Sequence, residues 1–200
     1  MLRFLPILLI LAYALAMWFF SVWRLKAELN ARSTPLNHPQ LNPLLDRLGA
    51  AMDLPRIRAH VYEIPAINGL AAPDGRIFIT RGFLDRMEAG EVTPEEISGV
   101  VAHELGHVAH GHSKRRMIDF AGQNVIRSVL LMTVGRFVPF IGPWLIGLAL
   151  RAVAARLSQQ DEFEADRFAT ALLVKSGIGA APQISLFRKL EKLTGARGNA

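Results

Sequence analysis

The sequence contains no cysteine, and only 20% of its 200 residues are charged. The absence of cysteine excludes disulfide frameworks, thiolate zinc sites, iron–sulfur clusters and cysteine nucleophiles. Any bound metal must therefore be held by histidine, aspartate or glutamate. With 51% hydrophobic residues and a mean hydropathy of +0.26, the chain is too apolar for a disordered protein and more apolar than a typical soluble domain. Its length fits one domain, alone or with an anchor.

Basic residues outnumber acidic ones, with 23 Lys and Arg against 17 Asp and Glu and a formal net charge of +6. Such a balance suits either nucleic acid or an anionic bilayer. No stretch interleaves basic with aromatic residues, so nothing in the sequence supports nucleic-acid binding. Because the chain is also apolar, we expect the lipid bilayer to be the partner.

The first segment is the most apolar one, since Phe4 to Trp23 are twenty residues without a charge, bounded by Arg3 and Arg24. That length is enough for a helix to cross a bilayer, so we predict an N-terminal transmembrane helix within residues 1–25. The alternative is a cleaved signal peptide, because Ala14-Leu15-Ala16 has the pattern of a processing site. The basic residues flanking the segment differ little in number, so the side of the membrane on which the rest of the chain lies stays open.

A segment rich in proline and asparagine follows, and we interpret residues 26–43 as an irregular linker. A folded domain is then expected over residues 44–195, opened by a short helix at Asn42-Pro43. Turn residues at Pro73-Asp74-Gly75, followed by strand-forming residues, predict a hairpin over Asn68 to Thr80. The predicted fold class is mainly α with a small antiparallel β-sheet (α+β).

The most informative stretch is a helix that carries His103-Glu104-Leu105-Gly106-His107, an H-E-x-x-H pattern. Thr93, Pro94 and Glu96 form a capping box that begins this helix, and Gly111 is a stop signal. Histidines four residues apart on a helix can share one metal ion, and Glu104 can reach a water on that ion. Imidazoles without thiolates favour zinc, which needs a third protein ligand and an open position in a catalytic site.

The third ligand is sought downstream, in the acidic run Asp161 to Asp166. Glu162 and Asp166 are four residues apart, on a helix face with small alanines that allow close approach of another helix. We predict that Glu162 binds the metal and that Asp166 accepts the spare ring N–H of a ligand histidine. Glu164 is the second choice, and His110, one turn beyond His107, is a further alternative. Taken alone, this acidic run would also fit the solvent-exposed beginning of a helix.

These motifs resemble the membrane-associated gluzincin zinc peptidases, which include the HtpX heat-shock proteases, the CAAX prenyl proteases and their soluble periplasmic relatives. The matching segments are HELGH at 103–107, EFEAD at 162–166 and NGLAAPDGRIFITRG at 68–82. The resemblance implies a zincin-like core, and His112 matches a histidine often found five residues after the motif. This sequence departs from the family pattern at Gln159, where the family commonly has arginine. The resemblance implies one zinc per chain, bound by His103, His107 and Glu162, with Glu104 as general base and Asp166 as the carboxylate that orients a ligand.

The sequence therefore predicts a membrane-anchored zinc endopeptidase that acts on protein substrates in membrane or envelope quality control. The alternative is a non-catalytic membrane adaptor or chaperone with a structural metal. A substrate peptide is expected to pair with the strand that holds Ile77 and Ile79, and Asn68 either contacts the substrate or stabilises a turn. An apolar hairpin over residues 125–155 is predicted to contact the bilayer. The oligomeric state is not predicted.

Overall fold

The structure is a computed structural model that describes residues 5–111 and 142–193. Its helices are α1 (Leu5–Ala31), α2 (Asn42–Ala51), α3 (Arg81–Glu88), α4 (Pro94–Ala109), α5 (Gly142–Lys175) and α6 (Ala181–Leu193). Its strands are β1 (Ser33–Pro35), β2 (Ala59–Tyr62), β3 (Gly69–Ala71) and β4 (Ile77–Thr80). The described residues fall into two compact units, one formed by 5–28 with 142–162 and the other by 29–111 with 163–193.

The first unit contains most of α1 and the first two-thirds of α5. Many large apolar side chains of α1 are exposed, among them Leu8, Leu9, Leu15, Phe19, Phe20 and Trp23. Within residues 5–111 and 142–193, no helix has the combined length and apolar composition needed to cross a membrane. The transmembrane helix predicted within residues 1–25 is therefore not confirmed. Of the hairpin predicted over 125–155, residues 125–141 lie outside the described part, and the remainder is the beginning of α5.

The second unit is built on a four-stranded sheet in the order β1-β2-β4-β3. The hairpin pair β3–β4 is antiparallel, as the turn at residues 73–75 predicts, and β1–β2 is antiparallel too. The central pair β2–β4 is parallel, with His60 opposite Phe78. The expectation of an antiparallel sheet is thus wrong, because β3 takes the outer position and leaves β4 to pair with β2 in the same direction. The sheet is mixed, and the fold is mainly helical α+β.

Strand β1 lies in the segment interpreted as an irregular linker. Its residues pair with β2 from Ser33 opposite Tyr62 to Pro35 opposite His60. A proline is compatible with this position because β1 is an edge strand among the described residues. Part of residues 26–43 therefore belongs to the folded sheet.

All four residues of β4 are fully buried, because both faces of the sheet are covered. Ile77 and Ile79 join the main core with side chains from α2, α3, α4, α5 and α6. Phe78 points to the opposite face, as alternation along a strand requires, and packs with Leu29 at the end of α1. The central strand is thus fixed between two apolar layers.

The helix boundaries of this unit follow the local signals in the sequence. Helix α2 begins at Asn42 with Pro43 in its first turn and buries Leu44, Leu45 and Leu48. Helix α5 ends at Lys175, two residues before Gly177, whose φ of 73° suits glycine. Helix α6 begins at Ala181, with Pro182 in its first turn.

Candidate metal centre

The amino-terminal end of α4 is fixed by reciprocal hydrogen bonds. The backbone N–H of Glu96 donates to Thr93 Oγ1 at 3.2 Å, and the N–H of Thr93 donates to Glu96 Oε2 at 2.9 Å. The Glu96 carboxylate is buried, and it also accepts from Ser185 Oγ at 2.6 Å and from Lys189 Nζ at 2.8 Å. The predicted capping box is confirmed, and the helix that carries the histidines is held at its start.

At the other end of α4, His103 and His107 lie one turn apart with their rings nearly perpendicular. Their Nε2 atoms are 3.1 Å apart. Tetrahedral zinc with Zn–N bonds of about 2.0–2.1 Å places two nitrogen ligands roughly 3.3 Å from each other. The spacing of the two nitrogens therefore fits two ligands of one ion.

The orientation of His103 is set by Asp166, whose Oδ1 lies 2.8 Å from the ring Nδ1. A carboxylate at this distance accepts a hydrogen bond from Nδ1–H, and the Nε2 lone pair is then available to a metal. Asp166 thus lies against the Nδ1 side of the His103 ring, and its role in orienting a metal ligand stays a prediction.

Glu162 lies one helical turn before Asp166 on α5. One ligand atom from each of His103, His107 and Glu162 can be chosen so that all three lie within 4.8 Å of one another. Two imidazoles and one carboxylate are the protein ligands of a known class of catalytic zinc site, which keeps its fourth position open. The donor chemistry therefore fits zinc.

The alternative ligands do not join this group. Glu164 and His110 are exposed, and the His110 ring contacts Phe168, with 5.8 Å between ring centroids. His112 lies outside the described residues. Of the candidates that the structure describes, Glu162 is the carboxylate brought to the histidines.

Helices α4 and α5 approach closely because small residues face each other. A methyl group on Gly106 would lie 2.9 Å from the Ala165 Cα and 3.0 Å from its carbonyl oxygen. Ala165 and Ala169 are fully buried. The small residues predicted on the face of Asp166 thus permit its carboxylate to reach His103.

Glu104 is buried beside a cavity of about 170 Å³. Strand β3 runs close to it, since a methyl group on Gly69 would lie 2.5 Å from Val100 Cγ1 and 3.3 Å from Glu104 Oε1. Asn68, just before β3, also lines the cavity. Its backbone is held by Thr80, whose Oγ1 accepts from the Asn68 N–H and donates to the Asn68 carbonyl, both at 3.0 Å.

The prediction that Ile77 and Ile79 bind substrate is wrong in this fold. Both side chains are fully buried in the core. Strand β4 also pairs with β2 on one side and with β3 on the other, so no backbone edge is available for a peptide. The outer strand next to Glu104 is β3.

Comparison with known proteins agrees with this geometry. The model of the family described as Peptidase family M48 matches residues 35–194. The chain belongs to this family. The resemblance to HtpX-like zinc peptidases is therefore confirmed, and zinc is the metal that M48 metalloproteases use.

Two similar relatives are metalloproteases of Escherichia coli (strain K12). LoiP is 32% identical over 159 residues, which is 79% of this chain and 61% of the relative. YcaL is 31% identical over 158 residues, or 79% of this chain and 60% of the relative. Protease HtpX of Legionella pneumophila is 28% identical over 174 residues, covering 76% of this chain and 58% of the relative. The chain thus spans about three-fifths of the length of these relatives.

No pattern in the sequence indicated that α6 contributes to the cavity. Gln183, Leu186 and Phe187 form part of its wall. The amphipathic pattern of α6 predicts which residues face the core, as Leu186 does, but it does not reveal which other element lies opposite.

Proposed function

We propose that this member of family M48 is a zinc-dependent endopeptidase that hydrolyses peptide bonds of protein substrates. The observation that carries the proposal is the grouping of His103, His107 and Glu162, with the buried carboxylate of Glu104 on the same helix turn. A structural metal site needs no additional carboxylate to act as a base. The buried Glu104 carboxylate beside these ligands therefore favours hydrolysis over the alternative of a non-catalytic adaptor or chaperone.

The residues of the site have different roles in metal binding and in proton transfer. His103, His107 and Glu162 hold the metal, and Asp166 keeps the His103 ring in the orientation for binding. When bound, zinc supplies a Lewis acid that polarises the peptide carbonyl and makes water more acidic. Glu104 accepts a proton from the attacking water and delivers it to the leaving amine.

A substrate peptide lies extended along β3, the edge strand of the described sheet that lies next to Glu104. Its backbone pairs with residues Gly69–Ala71, which brings the scissile carbonyl past Glu104. Gly69 is required because a larger residue would collide with Val100. Asn68 contacts the peptide as the chain enters the cavity.

We further propose that α1 attaches the chain to a bilayer and that the substrates are membrane or envelope proteins under quality control. This proposal is supported by the uncharged run from Phe4 to Trp23 and by the exposed apolar side chains of α1. Extraction of membranes at alkaline pH tests it: the chain is expected to stay in the pellet, and its quantitative release would contradict attachment through apolar contacts.

The endopeptidase proposal is tested with the full chain, zinc-loaded in detergent and incubated with unfolded casein. Mass spectrometry is expected to find internal cleavage products. A chelator should abolish them, and added zinc should restore them. An adaptor with a structural metal would bind zinc and leave casein intact, which would contradict the proposal.

A further inference from the structure

Thr80 stands where β4 ends and α3 begins, since α3 starts at Arg81. A threonine directly before a helix ordinarily caps it, because its hydroxyl accepts from a backbone N–H of the first turn. The backbone of Thr80 has the extended conformation of such a residue, with φ −72° and ψ 153°, but its side chain makes no cap bond. The Thr80 hydroxyl is therefore used for a contact outside α3.

That contact is with the backbone of Asn68. Thr80 Oγ1 accepts from the Asn68 N–H and donates to the Asn68 carbonyl, both at 3.0 Å. The same carbonyl accepts from the Thr80 backbone N–H at 3.1 Å. Because Thr80 is fully buried, solvent water does not reach its hydroxyl. One side chain thus holds both backbone groups of Asn68.

The segment before Asn68 is also held at the start of α3. The N–H of Gly82, one of the groups that a cap would serve, donates instead to the Ile64 carbonyl at 3.1 Å. A methyl group on Gly82 would collide with the Pro65 carbonyl group, so the segment lies directly against the first turn of α3. The start of α3 thus gives up a side-chain cap and anchors the segment that leads to β3.

Asn68 is the point where this segment reaches the cavity beside Glu104. Asn68 and Gly69 both line the cavity, and β3 begins at Gly69. The register of β3 with β4 starts with Gly69 opposite Ile79. At the preceding position, the bonds from Thr80 hold the chain against β4. The placement of Asn68 and of the first residue of β3 therefore depends on the Thr80 hydroxyl.

We propose that Thr80 is a positioning residue for the substrate peptide, whose hydroxyl holds Asn68 and the beginning of β3 in the orientation that receives the peptide backbone. The inference rests on the proposed endopeptidase function and adds a buried residue that does not touch the substrate. A strand that is ordered in advance reduces the entropy lost when a peptide pairs with it. Loss of the hydroxyl therefore weakens substrate binding and leaves proton transfer by Glu104 unchanged.

The test compares variants of the zinc-loaded full chain in detergent, with fluorescein-labelled unfolded casein as substrate. Thr80→Val keeps the shape of the side chain and removes the hydroxyl, so kcat/KM should fall by about 5–20-fold, mainly through a higher KM. Thr80→Ser keeps the hydroxyl and should restore the KM of the wild type. Amide hydrogen exchange at Asn68 should be faster in Thr80→Val and close to the wild-type rate in Thr80→Ser. Zinc content should be the same in all three proteins.

Thr93→Val is the matched control for a loss of stability alone. It also removes a threonine hydroxyl that accepts from a backbone N–H, that of Glu96 at 3.2 Å, and Thr93 is not among the described residues that line the cavity. Its thermal unfolding midpoint should fall by about 2–4 °C, with the KM of the wild type. If Thr80→Val shows no cooperative thermal transition, Thr80→Ala takes its place in every comparison.

Three results would overturn the positioning role: an unchanged KM in Thr80→Val, an equal rise in KM in Thr80→Ser, or the same rise in Thr93→Val. A wild-type chain that leaves casein intact would instead overturn the endopeptidase function. The positioning role is then read from binding of the labelled casein to zinc-loaded Glu104→Gln, followed by fluorescence anisotropy. Adding Thr80→Val should weaken this binding by about 5–20-fold, and adding Thr80→Ser should not. Equal affinities in the two double variants would overturn the positioning role.

Discussion

The two ends of α4 use similar residues for different purposes. At the first end, buried Glu96 accepts hydrogen bonds from Thr93, Ser185 and Lys189. At the other end, the Nε2 atoms of His103 and His107 are 3.1 Å apart, and ligand atoms of these two residues and Glu162 lie within 4.8 Å of one another. Imidazoles and a carboxylate are the types of ligand that zinc takes in proteins. The carboxylate at the first end thus stabilises the fold, whereas the group at the other end is suited to holding a cation.

The largest expected effect is on catalysis, at the end of α4 that carries the histidines. Glu104→Gln keeps the size of the side chain and removes the base, so kcat for protein cleavage should fall by about 10²–10⁴-fold. Zinc content and the thermal unfolding midpoint should stay close to those of the wild type. A variant that keeps zinc and cleaves casein at the wild-type rate would refute the role of Glu104.

The orienting carboxylate should have a smaller effect. In Asp166→Asn, the side chain no longer carries the charge that favours the Nδ1–H tautomer of His103, so zinc affinity should fall by about 10–100-fold. Competition with a chromophoric chelator measures the zinc affinity. Unchanged affinity would mean that the 2.8 Å contact does not influence the metal.

The stabilising end is tested by Lys189→Met, which leaves Glu96 buried without its cation. The free energy of unfolding should fall by about 1–3 kcal/mol, since Ser185 and Thr93 still donate to the carboxylate. Urea unfolding measures the loss, and Arg188→Met, an exposed neighbour on α6, is the control. Zinc bound per folded chain should not change. A loss of zinc affinity in Lys189→Met would break the distinction between the two ends.

The smallest effect is a pH dependence. Burial raises the pKa of Glu96, but the hydrogen bonds from Lys189, Ser185 and Thr93 outweigh it and lower the pKa below its ordinary value of 4.5. The unfolded chain then binds the proton more readily, so the stabilisation is complete above pH 4.5 and is lost as pH falls through the lower pKa of the folded state. Glu96→Gln should lose less stability than the wild type between pH 5 and 3. Parallel curves would contradict this.

Local spacing accounts for what the sequence predicted well. The capping box at Thr93, the four-residue step from His103 to His107 and the step from Glu162 to Asp166 each depend on the geometry of a single helix. The pairing of His103 with Asp166 also depended on Ala165, a small residue that signalled close approach of a second helix.

Contacts between distant segments account for what the sequence did not predict. The direction of β2 relative to β4 depends on which strand takes the edge, and no turn between those two strands encodes it. Helix α3 follows β4 directly, without a side-chain cap bond at Thr80 to signal its start. The place of Phe187 in the cavity wall depends on the docking of α6 through Glu96, far away in the chain.

Zinc stoichiometry in Glu162→Gln, compared with Glu164→Gln, tests the central claim most directly. The two carboxylates are two residues apart on α5, and only Glu162 joins the group with His103 and His107 among the described residues. Elemental analysis after dialysis against a weak chelator is expected to find one zinc per chain in the wild type and in Glu164→Gln, and almost none in Glu162→Gln. Full zinc occupancy in Glu162→Gln would contradict the proposed metal centre.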